Sequence, residues 1–285
     1  ASPFPTEEDA NSWFKQYTQS LTDSLTTFGD LYREAIPEER RELIRLRVNQ
    51  LVWTPDEIEK NVKWIRERVG DKPFGVDILV PASVPPGGSR EELAEQVPQG
   101  HREFIETVMR DYNIPAPREE PGDQQRGMGY WTQESYRRQL DAVLELRPAI
   151  IASAIGNPAF FLEAAHQRGI KVMGLVGLVR QAVREHEAGV DFIVAQGQDS
   201  AGHTGEIGTF SLVPQVVNAV SPTPVILAGG VGGSGRQLAA ALALGAQGVW
   251  TGTIWLASRE SDVDIVVKEK LLKATERDTT RSRTM

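Results

Sequence analysis

Four histidines occur in this chain, and one of them stands where a proton could be moved. His203 lies in the loop Gly197-Gln-Asp-Ser-Ala-Gly202-His-Thr-Gly205, directly after the apolar run Asp191-Phe-Ile-Val-Ala-Gln196. An unperturbed imidazole titrates at about 6.5, so it can take or give a proton near neutral pH. A lone loop histidine is usually structural, but a glycine-rich loop at a strand's C-terminal end favours a catalytic base. His166 and His186 fall on helical stretches between strands and read as surface residues, and His101 sits beside Gly100 in a long excursion. The chain has no cysteine, no second histidine near His203 and no His-x-x-x-His spacing, so no metal site is expected. Gln196 ends its strand at the same mouth and could hydrogen-bond a flat heterocycle. Asp199 and Glu206 flank the loop and read as solvated carboxylates rather than groups orienting His203. Asp77 and Ser153 are weaker candidates, expected at the ends of other strands.

Two further strand ends carry glycines. Pro224-Val-Ile-Leu-Ala228 runs into Gly229-Gly230, and Gly248-Val-Trp-Thr251 runs into Gly252-Thr253. Glycine lets backbone N–H groups approach an anion, and Thr253 can add a hydroxyl. In eight-stranded barrels a phosphate commonly sits between the loops after the last two strands. Taken singly, such a loop merely turns the chain. Two consecutive strand ends of this kind favour phosphate binding.

Short apolar strands alternating with helices must position these residues. Thr54-Pro-Asp-Glu57 is a capping box opening a helix through about Val69. Apolar runs then follow near 73–80, 148–154, 171–176, 191–196, 224–228 and 248–251, with helices between them closed by glycines such as Gly169, Gly189 and Gly245. The strands do not alternate polar with apolar residues, so a parallel sheet covered on both faces is expected. No Gly-x-Gly-x-x-Gly follows an early strand, which favours a closed barrel over an open sheet. The expectation is therefore an α/β chain of TIM-type (β/α)8 class. Six strands are counted from Asp77 onward where eight close a barrel, so its N-terminal side is left open. Residues 1–53 read as a helical segment without chemistry, with Val48 to Trp53 a weak strand candidate. Residues 54–285 form the barrel domain, and 82–147 are an insertion that could serve as a lid or as surface elaboration.

The composition is that of a globular protein of 285 residues, 40% hydrophobic and 25% charged, with a formal net charge of −8. Nucleic acid is an unfavourable partner for such a balance, and no apolar run or leader suggests a membrane. The absence of cysteine suits a cytoplasmic protein. The expected partner is a small-molecule substrate, and a homodimer is kept open as an assembly.

The motifs Ala195-Gln-Gly-Gln-Asp-Ser-Ala-Gly202-His-Thr-Gly205, Pro224-Val-Ile-Leu-Ala-Gly229-Gly230 and Gly245-Ala-Gln-Gly-Val-Trp-Thr-Gly252-Thr253 resemble the nitronate monooxygenase (2-nitropropane dioxygenase-like) family. The resemblance runs from about Thr54 to the C-terminus and is tightest between 190 and 256. It implies a TIM barrel that binds FMN non-covalently, with the phosphate on Gly229, Gly230, Gly252 and Thr253. The ring would meet Gln196 and Gly202, with Asp77 where members often carry asparagine. His203 would be the base that removes a proton α to a nitro group. Two other readings are carried alongside: a flavin-dependent reductase of enoyl or acyl thioesters, and an inactive flavin-binding scaffold.

Overall fold

A computed structural model describes residues 53–80, 95, 97–114, 133–259, 261 and 263–280. Residues 1–52 of the helical segment expected over 1–53, and residues 82–94 and 115–132 of the insertion expected over 82–147, lie outside the described residues. The chain divides into two compact units, one of residues 49–175 and 188–190, the other of residues 1–48, 176–187 and 191–285. Each carries parallel strands alternating with helices, so the chain is an α/β fold.

In the first unit, α1 (Pro55–Val69) starts where the capping box places it. Thr54 Oγ1 accepts from the Glu57 N–H at 3.3 Å, and the Glu57 carboxylate accepts from the Thr54 N–H at 2.9 Å. Ile58 and Val62, four residues apart, bury one face of α1. β1 (Gly75–Leu79) follows, then α2 (Gln99–Asp111), which buries no side chain, then α3 (Gln133–Leu146). α1 packs mainly on α3, whose Leu140, Val143 and Leu144 are buried. Gln139 of α3 closes that contact by donating to the Trp53 carbonyl at 2.7 Å. β2 (Ile150–Ala154) pairs in parallel with β1, and β3 (Lys171–Val176) pairs in parallel with β2. The helix expected to close at Gly169 is instead a 3-10 turn, Pro158–Phe160, followed by α4 (Leu162–His166). Phe161 separates them at φ −119°, outside the helical range, while its ring is buried at 2% exposure.

The second unit holds α5 (Val179–Ala188, all but its last residue), β4 (Phe192–Gln196), α6 (Thr209–Val220), β5 (Val225–Ala228), α7 (Gly235–Ala243), β6 (Gly248–Trp250), α8 (Thr253–Leu256) and α9 (Ile265–Lys273). β4, β5 and β6 pair in parallel in that order. Ile193, Val194 and Ala195 are wholly buried, as a strand covered on both faces must be. Leu212, Val213, Val216 and Val220 line one side of α6 and are also wholly buried. Burying side chains of this kind contributes about 1.5–3 kcal/mol each. Among the described residues no helix is long and apolar enough to cross a membrane.

Two carboxyl groups sit inside these units. Asp77 lies in the middle of β1, in register with Ala152, not at the strand's end as the sequence reading had it. It lines a small cavity with Trp53, Ile58, Asn61 and Val62, and its Oδ1 has no hydrogen-bond partner. Burial pushes its carboxyl up to about 7. Glu185 is buried on the core side of α5, three residues after buried Ala182, with Oε2 unpartnered. Burial pushes its carboxyl up to about 8. Each group therefore binds its proton more tightly folded than unfolded. Their contribution is fully present below about pH 4 and is lost as the pH rises, through about 7 for Asp77 and about 8 for Glu185. Urea unfolding at pH 5 and pH 8.5 is the check. Asp77→Asn and Glu185→Gln should each narrow the loss of stability between these values by on the order of 1–4 kcal/mol. Equal pH slopes in wild type and both variants would refute the assignment.

Candidate active site

Every sequence-selected residue except Asp77 and Ser153 falls in the second unit. Three loops there come together. The loop after β4 begins at Gly197, where no side chain could be accommodated: an added Cβ would meet the Thr209 backbone at 2.4 Å. Ser200 and Asp199 of the same loop lie against the turn after β5. An added Cβ on Gly229 would meet Ser200 Oγ at 2.4 Å, and one on Gly230 would meet Asp199 Cβ at 3.5 Å. The turn after β5 in turn meets the start of α8, with Ile254 3.6 Å from the Cβ position of Gly232. The loops that carry His203, Gly229-Gly230 and Gly252-Thr253 thus form one continuous rim.

His203 is exposed on this rim and makes no hydrogen bond among the described residues. Its loop is pinned on both sides of it. The Gln198 N–H donates to the Ile207 carbonyl at 2.9 Å, the Ser200 N–H donates to the Gly197 carbonyl at 3.1 Å, and Gly205 lies against Gly177. Gln196 is half-buried at the end of β4 and donates to the Ala201 carbonyl at 3.4 Å. Gly202 has φ +78° and is exposed.

The turn after β5 is held open by its own helix. Gln237 of α7 donates to the Gly230 carbonyl at 2.6 Å and accepts from the Gly232 N–H at 2.9 Å. Gly230 is exposed, Gly252 and Thr253 are exposed, and nothing stands within 4 Å of a Cβ position on Gly252. α7 begins beside this turn, with Ser234 as N-cap accepting from the Arg236 N–H. An open turn with Arg236 in the adjoining first helical turn fits a phosphoryl group. Asp199 lies against the turn, and its carboxylate is engaged: Oδ2 accepts the Thr209 N–H at 2.8 Å.

Sequence reading missed three features here. Asp199 is exposed, as expected, but it also caps α6 from ten residues upstream, a separation no local capping pattern reveals. Gln237 looked like an ordinary helix residue. His186 was read as a surface residue, yet its Nδ1 lies 2.8 Å from Thr223 Oγ1. Ser153, expected at a strand end, is wholly buried and donates to the Gly156 carbonyl at 3.1 Å, so it braces a loop. Among the described residues no cluster of three or more His, Cys, Asp or Glu side chains could hold a metal ion.

Known proteins resemble this chain in sequence and fold. Rv1533 of Mycobacterium tuberculosis, whose name carries the term monooxygenase, is 44% identical over 237 residues, covering 81% of this chain and 63% of its own. A protein of Staphylococcus saprophyticus named Probable nitronate monooxygenase is 29% identical, covering 80% of this chain and 62% of its own. Among solved structures, a mutant of FabK from Thermotoga maritima matches with a TM-score of 0.60 at 29% identity, over 84% of this chain and 64% of that one. Nitroalkane oxidase of Streptomyces ansochromogenes matches with a TM-score of 0.60 at 27% identity, over 77% and 60%. The chain therefore spans less than two thirds of the length of each of these relatives. With the nitronate monooxygenase family model matching residues 49–285, the three-loop rim has its explanation: this chain belongs to the nitronate monooxygenase family.

Proposed function

We propose that the protein is an FMN-dependent oxidoreductase that acts on alkyl nitronates or nitroalkanes with oxygen, with His203 as the base. The observation that carries this reading is the rim itself. An exposed imidazole, free of other hydrogen bonds among the described residues, shares it with two open glycine turns. The residues proposed to hold the phosphate are Gly229, Gly230, Gly252 and Thr253, and those proposed to meet the ring are Gln196 and Gly202. Bound there, FMN would supply the electron acceptor and the reaction with oxygen. The chain's own part is to bind the flavin through backbone N–H groups, to present the substrate to His203, and to take the proton α to the nitro group at an imidazole nitrogen. The TIM-type (β/α)8 barrel, the small-molecule substrate and the cytoplasmic setting belong to the same proposal.

The likeness to FabK supports a second reading, a flavin-dependent reductase of enoyl or acyl thioesters. Steady-state assays separate the two. Oxygen uptake with an alkyl nitronate and no pyridine nucleotide is the expected result. NADH or NADPH oxidation with an enoyl thioester, without nitronate turnover, would replace the first reading with the second.

A further inference from the structure

We infer that Asp199 is a positioning residue that fixes the His203 loop to helix α6 and seats it against the Gly229-Gly230 turn. The inference rests on the reading of His203 as the base and of that turn as a flavin contact. Its own geometry is independent of either. Asp199 Oδ2 accepts the Thr209 N–H at 2.8 Å, so one carboxylate joins the loop after β4 to the first residue of α6. The residue before that helix is Gly208, which offers no side-chain cap, so the cap must come from elsewhere in the chain. Asp199 Cβ also lies 3.5 Å from the Cβ position of Gly230. A shift of Asp199 therefore moves the loop that carries His203, four residues on, and removes a wall of the turn at once.

The surroundings make this tie matter. Ser200 Oγ and Thr209 Oγ1 are buried beside it without hydrogen-bond partners, so neither hydroxyl secures the junction. Gln196 holds the loop at Ala201, but at 3.4 Å that is a longer bond. The carboxylate thus carries the main side-chain tie between loop and helix. Asparagine at this position would keep an acceptor oxygen and lose the charge. Alanine would lose both.

The test compares Asp199→Ala and Asp199→Asn by amide hydrogen exchange across 198–210, by FMN titration, and by kcat and KM with a neutral nitroalkane. Circular dichroism confirms that both variants fold. In the Ala variant, exchange in this segment is expected to rise about five- to tenfold, the factor that corresponds to a lost helix cap. Its kcat should fall about tenfold or more with a smaller change in KM, because the base is displaced rather than the substrate site. The Asn variant should return exchange and kcat to within about threefold of wild type. Wild-type exchange in the Ala variant overturns the proposal, as does an Asn variant no better than Ala. If the wild type turns over no nitroalkane, the reading of His203 as the base fails, while exchange and FMN titration still decide the role of Asp199.

Discussion

His203→Ala is expected to lower turnover of a neutral nitroalkane by about 10²–10⁴-fold while FMN remains bound, the usual yield of one positioned general base. The split between the two readouts follows from the geometry. His203 is exposed on the loop after β4 and makes no hydrogen bond among the described residues, so its removal disturbs no contact that shapes the rim. The flavin contacts proposed at Gly229, Gly230, Gly252 and Thr253 are mainly backbone groups on other loops, which a change at position 203 leaves in place. Flavin fluorescence titration measures the binding, and oxygen uptake measures the turnover. Turnover within about threefold of wild type would remove His203 from the role of base.

Gly229→Ala is expected to disturb the turn after β5 and the His203 loop together. Gly229 has φ +100°, a conformation that costs an L-residue about 1–3 kcal/mol. The new Cβ would also stand 2.4 Å from Ser200 Oγ, 2.8 Å from the Ser200 nitrogen and 2.9 Å from Thr209 Oγ1. The Ser200 backbone cannot swing aside, so the His203 loop must shift as a body. Overpacking of this kind adds about 1–3 kcal/mol. The sum, about 2–5 kcal/mol, should appear in urea unfolding, accompanied by at least about a tenfold loss of FMN affinity. Gly235→Ala is the control, because nothing lies within 4 Å of its Cβ position and it begins α7. It should be neutral or slightly stabilising. A Gly229→Ala protein as stable as wild type and with wild-type flavin affinity would contradict the proposed seat of the phosphate.

What the sequence revealed depended on whether the interaction was local. The Thr54 and Glu57 capping box spans three residues, and both of its hydrogen bonds form. The apolar runs near 73–80, 148–154, 171–176, 191–196, 224–228 and 248–251 each contain a strand, because burial on both faces leaves a signal in residue type alone. Of the glycine turns, Gly229 shows the close approach that excludes a side chain, whereas nothing stands within 4 Å of a Cβ position on Gly252. Interactions across distance were not legible. Asp199 caps a helix that starts ten residues later, and the intervening loop gives no spacing rule. Gln237 reaches back seven residues to the Gly230 carbonyl. Asp77 was expected at a strand end, although the apolar run 73–80 already passed through it, and β1 continues beyond it to Leu79. Glu185 could have been found. Its spacing of three from Ala182 puts it on the inward face of α5, where a carboxylate is anomalous.

The central claim is that backbone amides of two neighbouring glycine turns seat the phosphoryl end of FMN beside His203. Titrating the purified chain with FMN, and following quenching of flavin fluorescence, tests it most directly. Saturable uptake of one FMN per chain, weakened at least about tenfold by Gly229→Ala and unchanged by His203→Ala, is the expected result. No saturable uptake by the wild-type chain, or uptake indifferent to Gly229→Ala, would contradict it.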